Sequence, residues 1–477
     1  MPKNDSEKHI YEAIVGALAY APSQEQLTLI DYLLKFYFSD HSYPLFILRG
    51  YAGTGKTSTL SAFVIALHKN KRKTVLLAPT GRAAKVLAQR SEKTAYTIHK
   101  KIYRKQQSSD GAIRLELAPN LHTNTLFIID EASMIPDYSI TNDGTVHTRN
   151  LLEDLLEYVY SGKNCRLIFI GDHAQLPPVG SSFSPALSKN YLETNFAKFH
   201  LFEMELTKIH RQAEKSDILL NAFNLRSGIL PLPFLEVENK NGLYCIQGNE
   251  LQEALESAYT AYGSDETLIV TRSNKQANRY NQEVRGRILW FEEEINAGDV
   301  LMVVRNNYHW LDEKSAAGFI ANGETLKVHR IRNSESMYNL TFADATVELT
   351  DYPQLDRFDV KLLLDTIYED TPNLSRNKMK ELFYAIEADY SWEKNKKKRY
   401  EKVMNDPYFN AIQVKFSYAV TCHKSQGGQW SCVFIDQGFF NEDMIDEGYF
   451  RWLYTAFTRA SEKLYLVNFP GVFFKEK

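Results

Sequence analysis

Four cysteines (Cys165, Cys245, Cys422 and Cys432) are scattered through 477 residues without a Cys-x-x-Cys pair. That spacing argues against a thiolate zinc cluster and a disulfide framework, and it fits a reducing cytoplasm. No apolar run approaches the roughly 18–20 residues needed to cross a bilayer. Residues 1–8 have no apolar h-region, so neither a signal peptide nor a membrane partner is expected. Fixed-period repeats and long low-complexity tracts are also missing, which excludes solenoids and compositionally disordered arrays. Nor does one sign of charge prevail: 56 Lys and Arg stand against 59 Asp and Glu, a net charge of −3. The chain is no polycation, so any nucleic-acid surface must be a lined groove and not a global field.

What is there is the balance of an ordinary globular protein, 44% hydrophobic and 24% charged. At roughly 100–200 residues per domain, the length suggests about three domains. Four short apolar runs, 45–48, 75–78, 126–129 and 167–170, punctuate the first half, with helical patterns between them. Strands alternating with helices predict βαβ units and a parallel sheet, whose ligands bind beyond the carboxyl ends of the strands. Residues 268–270, 433–435 and 464–467 predict a second α/β unit. Between about 290 and 412 the pattern changes to short β-like pieces (300–304, 325–329, 338–342, 346–349) and a charged helical segment, 375–405. This stretch is expected to be an insertion that splits the second unit. A smaller interruption, 101–120, carries the hairpin-turn signal Ser108-Ser109-Asp110-Gly111.

The chemistry gathers where the strands end. Gly50-Tyr51-Ala52-Gly53-Thr54-Gly55-Lys56-Thr57 fits G-x-x-x-x-G-K-[ST] between a strand and a helix. Glycines admit backbone N–H groups to phosphates, Lys56 meets the β/γ charge and Thr57 can bind Mg²⁺. Asp130-Glu131 follows the 126–129 strand. A carboxylate there completes a metal shell, and its neighbour can orient and deprotonate an attacking water. Gly171–Gly180 contains Gln175, whose amide has no structural need to be polar in a proline-rich turn, so a phosphate-sensing role is expected.

These three segments resemble motifs I, II and III of superfamily 1 helicases, and six further segments agree in order. Ser23-Gln24-Glu25-Gln26 resembles the Q motif, Ala78–Lys85 motif Ia, Thr97-Ile98-His99-Lys100 motif Ib, Leu206–Gln212 motif IV, Tyr418–Gly427 motif V and Leu453–Ala460 motif VI. The forms Ala-Pro-Thr-Gly-Arg-Ala-Ala and Val-Thr-Cys-His-Lys-Ser-Gln-Gly point to group B, the RecD/Dda-like branch with a UvrD-type second motor lobe. The resemblance spans about 21–470.

It implies an α/β fold of two RecA-like lobes. Lobe 1A would take 21–100 and 121–205, behind an extension at 1–20. A hairpin pin, domain 1B, would take 101–120. Lobe 2A would take 206–289 and 413–477, with an SH3-like domain 2B at 290–412. It also implies roles. Gln26 reads adenine; Gly50, Gly53, Thr54, Gly55, Lys56, Thr57, Ser58 and Gly427 cradle ATP; Thr57 and Asp130 serve Mg²⁺. Glu131 is the general base, Gln175 couples γ-phosphate to the DNA site, and Arg211 and Arg459 act as arginine fingers. Pro79, Thr80, His99, Thr421, His423 and Lys424 line a single-strand track. Gln429 departs from the family pattern, where many relatives carry glutamate. The expected activity is 5′→3′ ATP-driven unwinding by a monomer at single-strand/duplex junctions. Two rivals are weighed against it: the motor subunit of an ATP-dependent exonuclease complex, and an ATP-switched single-strand binding module. No nuclease centre is visible, and the intact Lys56, Asp130, Glu131, Arg211 and Arg459 oppose a passive module. The basic run 394–399 reads either as a solvated helix face or as a phosphate-steering patch.

Overall fold

The computed structural model describes residues 5–107, 113–138, 150–208, 216–226, 235–239, 241–312, 315–371 and 373–474. In chain order, the first half contributes β1 (Pro44–Gly50), β2 (Lys73–Ala78), β3 (Ala95–Thr97), β4 (Tyr103–Gln107), β5 (Ile113–Leu117), β6 (Thr125–Ile129), β7 (Arg166–Gly171) and β8 (His200–Leu206). Six of them form one parallel sheet in the order β3-β2-β6-β7-β1-β8. All four strands expected from the apolar runs are in it. β3 and β8 add one edge strand on each side.

The runs are continuous because helices cover both faces of a parallel sheet. Along β1 the side chains divide with a period of two: Leu45 and Ile47 enter the core that holds Leu155 and Phe169, while Phe46 and Leu48 enter the core that holds Leu60 and Phe63. All four are fully buried, and each such burial contributes roughly 1.5–3 kcal/mol. β4 and β5 pair as an antiparallel hairpin beside this sheet. The Ala118 amide donates to the Ile102 carbonyl at 2.7 Å and closes the hairpin's base. The turn signal at Ser108–Gly111 lies outside the described residues.

The second half starts with β9 (Leu243–Ile246) and β10 (Thr267–Thr271). A barrel follows, made of β11 (Val300–Val303), β12 (Thr325–Met337), β13 (Leu340–Leu349), β14 (Phe358–Leu363) and β15 (Ile412–Phe416). The chain returns through β16 (Ala419–Thr421), β17 (Trp430–Asp436) and β18 (Ala460–Val467) to a five-stranded parallel sheet ordered β16-β10-β17-β18-β9. The closing strand β15 pairs with β11 as far as Phe416, so the barrel runs past the boundary expected at 412. The expected pieces 338–342 and 346–349 fall on one strand, β13, from Leu340 onward. Tyr338 and Asn339, both with left-handed backbones, make the tight turn from β12. The helical stretch 375–405 is two helices, Arg376–Asp389 capped by Ser375 and Lys396–Met404 capped by Asn395. One core joins the barrel residues Leu301, Val303, Leu326 and Val347 to Ile269 and Phe434 of the sheet. The barrel is therefore packed onto the second lobe and not tethered to it by linkers.

Candidate active site and nucleic-acid interface

The carboxyl ends of both sheets meet at one cleft. On the first lobe, Gly53 (φ 78°) and Gly55 (φ 82°) take left-handed backbones in the loop after β1, conformations that glycine adopts without steric cost. Gly50 is required by space: a β-carbon there would meet the Leu206 carbonyl oxygen and Thr54 Oγ1 at 3.0 Å. Thr54 is buried and donates its hydroxyl to the Tyr51 carbonyl at 2.7 Å. The Lys56 ammonium is folded into the loop and donates to the carbonyls of Gly50 and Tyr51. Thr57 and Ser58 stand in the first turn of helix Lys56–Lys69. The residues present thus fit a phosphate cradle with a cation at its centre.

Asp130 and Glu131 follow β6. Asp130 accepts the Glu131 amide at 2.9 Å. Burial pushes both carboxyl groups above the usual carboxylate range, and the neighbouring charge of Asp130 pushes Glu131 further the same way. Lys56 and Arg459 oppose the rise at Glu131. The Glu131 backbone is left-handed, with φ 52°. A non-glycine residue there costs of order 1–3 kcal/mol, and such strain clusters at functional sites.

Gln175 is 5% exposed, and its Oε1 is buried without a hydrogen-bond partner. An orphaned acceptor in a cleft is the exception among native polar groups. The next residue is clasped from the second lobe: the Leu176 amide donates to Thr455 Oγ1 at 2.8 Å, and its carbonyl accepts from the Gln426 amide at 2.7 Å. Tyr454 reaches further. Its hydroxyl accepts from the Ala52 amide of the loop after β1 at 2.9 Å and donates to buried Asp172. Arg459 is buried and donates to the carbonyls of Thr455 (3.0 Å) and Gly428 (3.0 Å) and to the Thr458 hydroxyl (3.0 Å), while its charge acts on Glu131. Arg211 lies outside the described residues.

Gln26 is fully buried. Its Oε1 accepts from the Ser23 amide, and its amide group donates to Thr59 on the loop's helix and to Tyr20. The structure therefore uses its amide as half of a capping box.

A second seam lies on the other side of the cleft. Gly427, expected on the nucleotide, packs against lobe 1 here: a β-carbon would meet Ala83 Cβ at 2.8 Å and Thr80 Oγ1 at 3.1 Å. Thr80 caps helix Gly81–Ser91 by accepting the Ala83 amide. Arg82 lies over the Trp430 ring at 3.8 Å and donates to the Gln429 carbonyl. Arg90 donates to Gln429 Oε1 at 3.0 Å. Gln429 is thus spent on two lobe-1 arginines. Pro79 precedes this cap, and His99 lies near Tyr103, ring centres 5.7 Å apart. Thr421, His423 and Lys424 open the facing turn of the second lobe. Burial lowers the affinity of the His423 ring for a proton and holds Lys424 down at about 8.

The barrel also reaches lobe 1. Glu324 sits on Gly81, Lys85 donates to the Thr350 carbonyl at 2.9 Å, and Lys85 lies 3.7 Å from Asp351. Tyr454, Asp172, Glu324 and Asp351 carried no assignment in the sequence. The first two lie inside the quoted motifs and could have been found there; the barrel acids follow no motif.

Two parallel-sheet lobes, a phosphate loop on one and a buried arginine on the other whose charge acts on Glu131, define a two-lobed P-loop NTPase. A model of the AAA domain matches residues 23–244, and a model of the UvrD-like helicase C-terminal domain matches residues 416–467. The chain is similar to the ATP-dependent DNA helicase dda of Enterobacteria phage T4, 26% identical over 62% of this chain and 64% of that protein. It is also similar to the ATP-dependent RecD2 DNA helicase of Deinococcus radiodurans, 31% identical over 44% of this chain and 24% of that one. A solved Pif1 helicase from Bacteroides aligns over 95% of this chain and 94% of its own, with 15% identity and a TM-score of 0.47. These matches agree with the resemblance of the motifs to RecD/Dda-like helicases.

Proposed function

We propose that this chain is an ATP-dependent DNA helicase that moves 5′→3′ on single-stranded DNA as a monomer and opens duplex at single-strand/duplex junctions. The observation that carries the reading is the clasp at the cleft. Tyr454, Thr455 and Gln426 of one lobe hold the phosphate loop and the Gln175 segment of the other. A change at the phosphate loop is thereby mechanically connected to the seam where Thr80 and Gly427 meet. The names of the T4 and Deinococcus relatives support the choice of DNA helicase.

In this reading Glu131 takes a proton from the attacking water, and its raised proton affinity suits that work. Gly53, Thr54, Gly55 and Lys56 bind the phosphates. Arg459 and Arg211 stabilise the spread charge of the transferring phosphoryl group, because a guanidinium fork stays protonated and spans several oxygens. Thr57 and Asp130 would hold Mg²⁺, which offsets phosphate charge when bound. Gln26 orients the loop's helix beside the adenine. Pro79, Thr80, His99, Thr421, His423 and Lys424 grip the strand without reading its sequence, and the β4–β5 hairpin is the wedge. Among the described residues no helix is long and apolar enough to cross a membrane, and the reading places the chain in the cytoplasm.

The test is unwinding of a 5′-tailed against a 3′-tailed duplex. The 5′ tail is expected to support it and the 3′ tail is not. Replacing residues 102–117 by a Gly/Ser linker is expected to abolish unwinding and spare DNA-stimulated ATPase. Equal unwinding of both substrates would overturn the polarity.

A further inference from the structure

A cavity of about 370 Å³ opens beside the phosphate loop, lined by Tyr51, His173, Arg226, Arg451, Tyr454 and Glu447 among others. It runs between the lobes. Tyr51 and Tyr454 stand at its inner end, and Glu447, whose side chain is 80% exposed, stands at its outer end. Since a water takes roughly 30 Å³, the space admits a tetrahedral oxyanion with its hydration.

The lining has unsatisfied donors. Arg226 ends helix Asp217–Arg226, and its guanidinium carbon lies 3.8 Å from the ring centres of both Tyr51 and Phe223. One terminal nitrogen donates to the Thr207 carbonyl, while the other, Nη1, is buried with no partner among the described residues. His173 Nδ1 is also buried with no partner. Its other ring nitrogen lies 3.4 Å from the Tyr51 hydroxyl and 3.8 Å from Glu205. The Tyr51 hydroxyl is also bonded to Glu205, so Nδ1 donates in the tautomer that carries its proton there and in the charged ring. Arg451 is not free in the same sense, because it is paired with Glu447 and donates to the Ser182 carbonyl. Asp172, the nearest buried acid, already accepts from Tyr454 and the Ala174 amide. Among the described residues the cavity therefore offers two buried nitrogens with no hydrogen-bond partner, one on a permanently cationic guanidinium and one on an imidazole that donates when Nδ1 carries the proton. A guanidinium held against two rings has restricted orientation, and its planar fork suits an acceptor with several oxygens.

We propose that this cavity is an oxyanion site that receives the inorganic phosphate formed at the phosphate loop and passes it toward solvent, with Arg226 as its principal donor and His173 as the second. The proposal rests on the reading that the loop hydrolyses ATP. The site lies on the side of Tyr51 and His173, so phosphate leaving the loop moves along the surface that Tyr454 and Asp172 hold together. Release of phosphate is thereby placed at the clasp between the lobes.

The test is calorimetric titration of the full chain, loaded with ADP, with inorganic phosphate. Arg226→Gln is expected to weaken phosphate binding by about 10- to 100-fold, the effect of losing a charged hydrogen bond. Arg226→Lys should recover part of it, because charge is kept while the fork is lost. His173→Asn should weaken it less than Arg226→Gln. Melting curves of each variant show whether the fold is intact. Unchanged phosphate affinity in a folded Arg226→Gln overturns the proposal. So does a fall in ATP affinity as large as the fall in phosphate affinity, since Arg226 would then be a ligand of ATP itself. Failure of the wild-type chain to turn over ATP would sink the helicase reading instead, and the phosphate titration would still report on the cavity.

Discussion

Two seams join the lobes, and they are built from different materials. At the nucleotide seam, buried hydroxyl and amide groups of Tyr454, Thr455 and Gln426 bind main-chain groups of Ala52 and Leu176 and the Asp172 carboxylate. These bonds are directional, so a small shift of the loop breaks them. At the track seam, lobe 1 presents cations: Arg82 on Trp430, Arg82 and Arg90 on Gln429, Lys85 by Asp351. Such contacts tolerate movement, and a nucleic-acid phosphate can exchange with a carbonyl or carboxylate partner. The first seam senses geometry and the second senses charge. Under the proposed function both are needed, because the nucleotide changes by one phosphoryl group while the strand must slide.

The sharpest break on the geometric side is Glu131→Gln, which keeps shape and removes the base. ATP turnover should fall by about 10²–10⁴-fold, while nucleotide and single-strand binding persist. A phosphate-release assay beside a filter-binding titration checks both. Near wild-type turnover would show that the strained acid at φ 52° is not the base.

Tyr454→Phe removes both bonds that Tyr454 contributes to the clasp and leaves Asp172 short of a donor. With roughly 1.5–3 kcal/mol for a hydrogen bond to a charged group, kcat/KM for ATP should drop by about 10- to 100-fold. Single-strand affinity without nucleotide should be unmoved. If DNA affinity fell as far as ATP turnover, the two seams would not be separable.

The charged side should respond to pH. Glu324 is buried against Gly81, near Asp351, Tyr352 and Lys100, and burial holds its carboxyl up at about 8. An acid whose folded value is raised above 4.5 binds its proton more tightly folded than unfolded. Its contribution is therefore most favourable below about 4.5 and is lost as pH rises through about 8, by on the order of 1.4 kcal/mol per pH unit within that window. Glu324→Gln should flatten the melting temperature between pH 6 and pH 8.5 and raise it most at the alkaline end. An unchanged pH slope would remove Glu324 from the seam's energetics.

The smallest effect is expected at Lys424. Its alanine variant should weaken DNA binding about equally for all sequences and reduce the salt slope by about one. Strong sequence dependence of the loss would assign it to base contacts.

Much of this molecule was legible in its residues. The runs at 45–48, 75–78, 126–129 and 167–170 are strands because a buried parallel strand must be apolar on both faces, and that signal needs no partner. The loop Gly50–Thr57 and the pair Asp130-Glu131 were legible for a similar reason: each chemistry needs fixed residue types at fixed spacing. Gln26 and Gly427 illustrate the limit. Their motifs place them at the nucleotide, but the fold spends the Gln26 amide on a cap and on Thr59, and it lays Gly427 on Thr80. Which neighbour a side chain meets is set by packing and not by the motif around it.

The sequence by itself determined the two α/β units, the inserted β region, the phosphate loop and the acidic pair. Local propensity, periodicity and short-range spacing decide these, and all three are written in consecutive residues. Only the tertiary structure decided that β15 closes the barrel, that the barrel's acids lie on the helix after Thr80, and that Tyr454 spans to Ala52 and Asp172. It alone decided that Arg226 and His173 share one cavity. Those pairings join residues tens to hundreds of positions apart, and they exist because two sheets buried their apolar faces and brought their carboxyl ends together. No local signal encodes a distance that only the packed cores create.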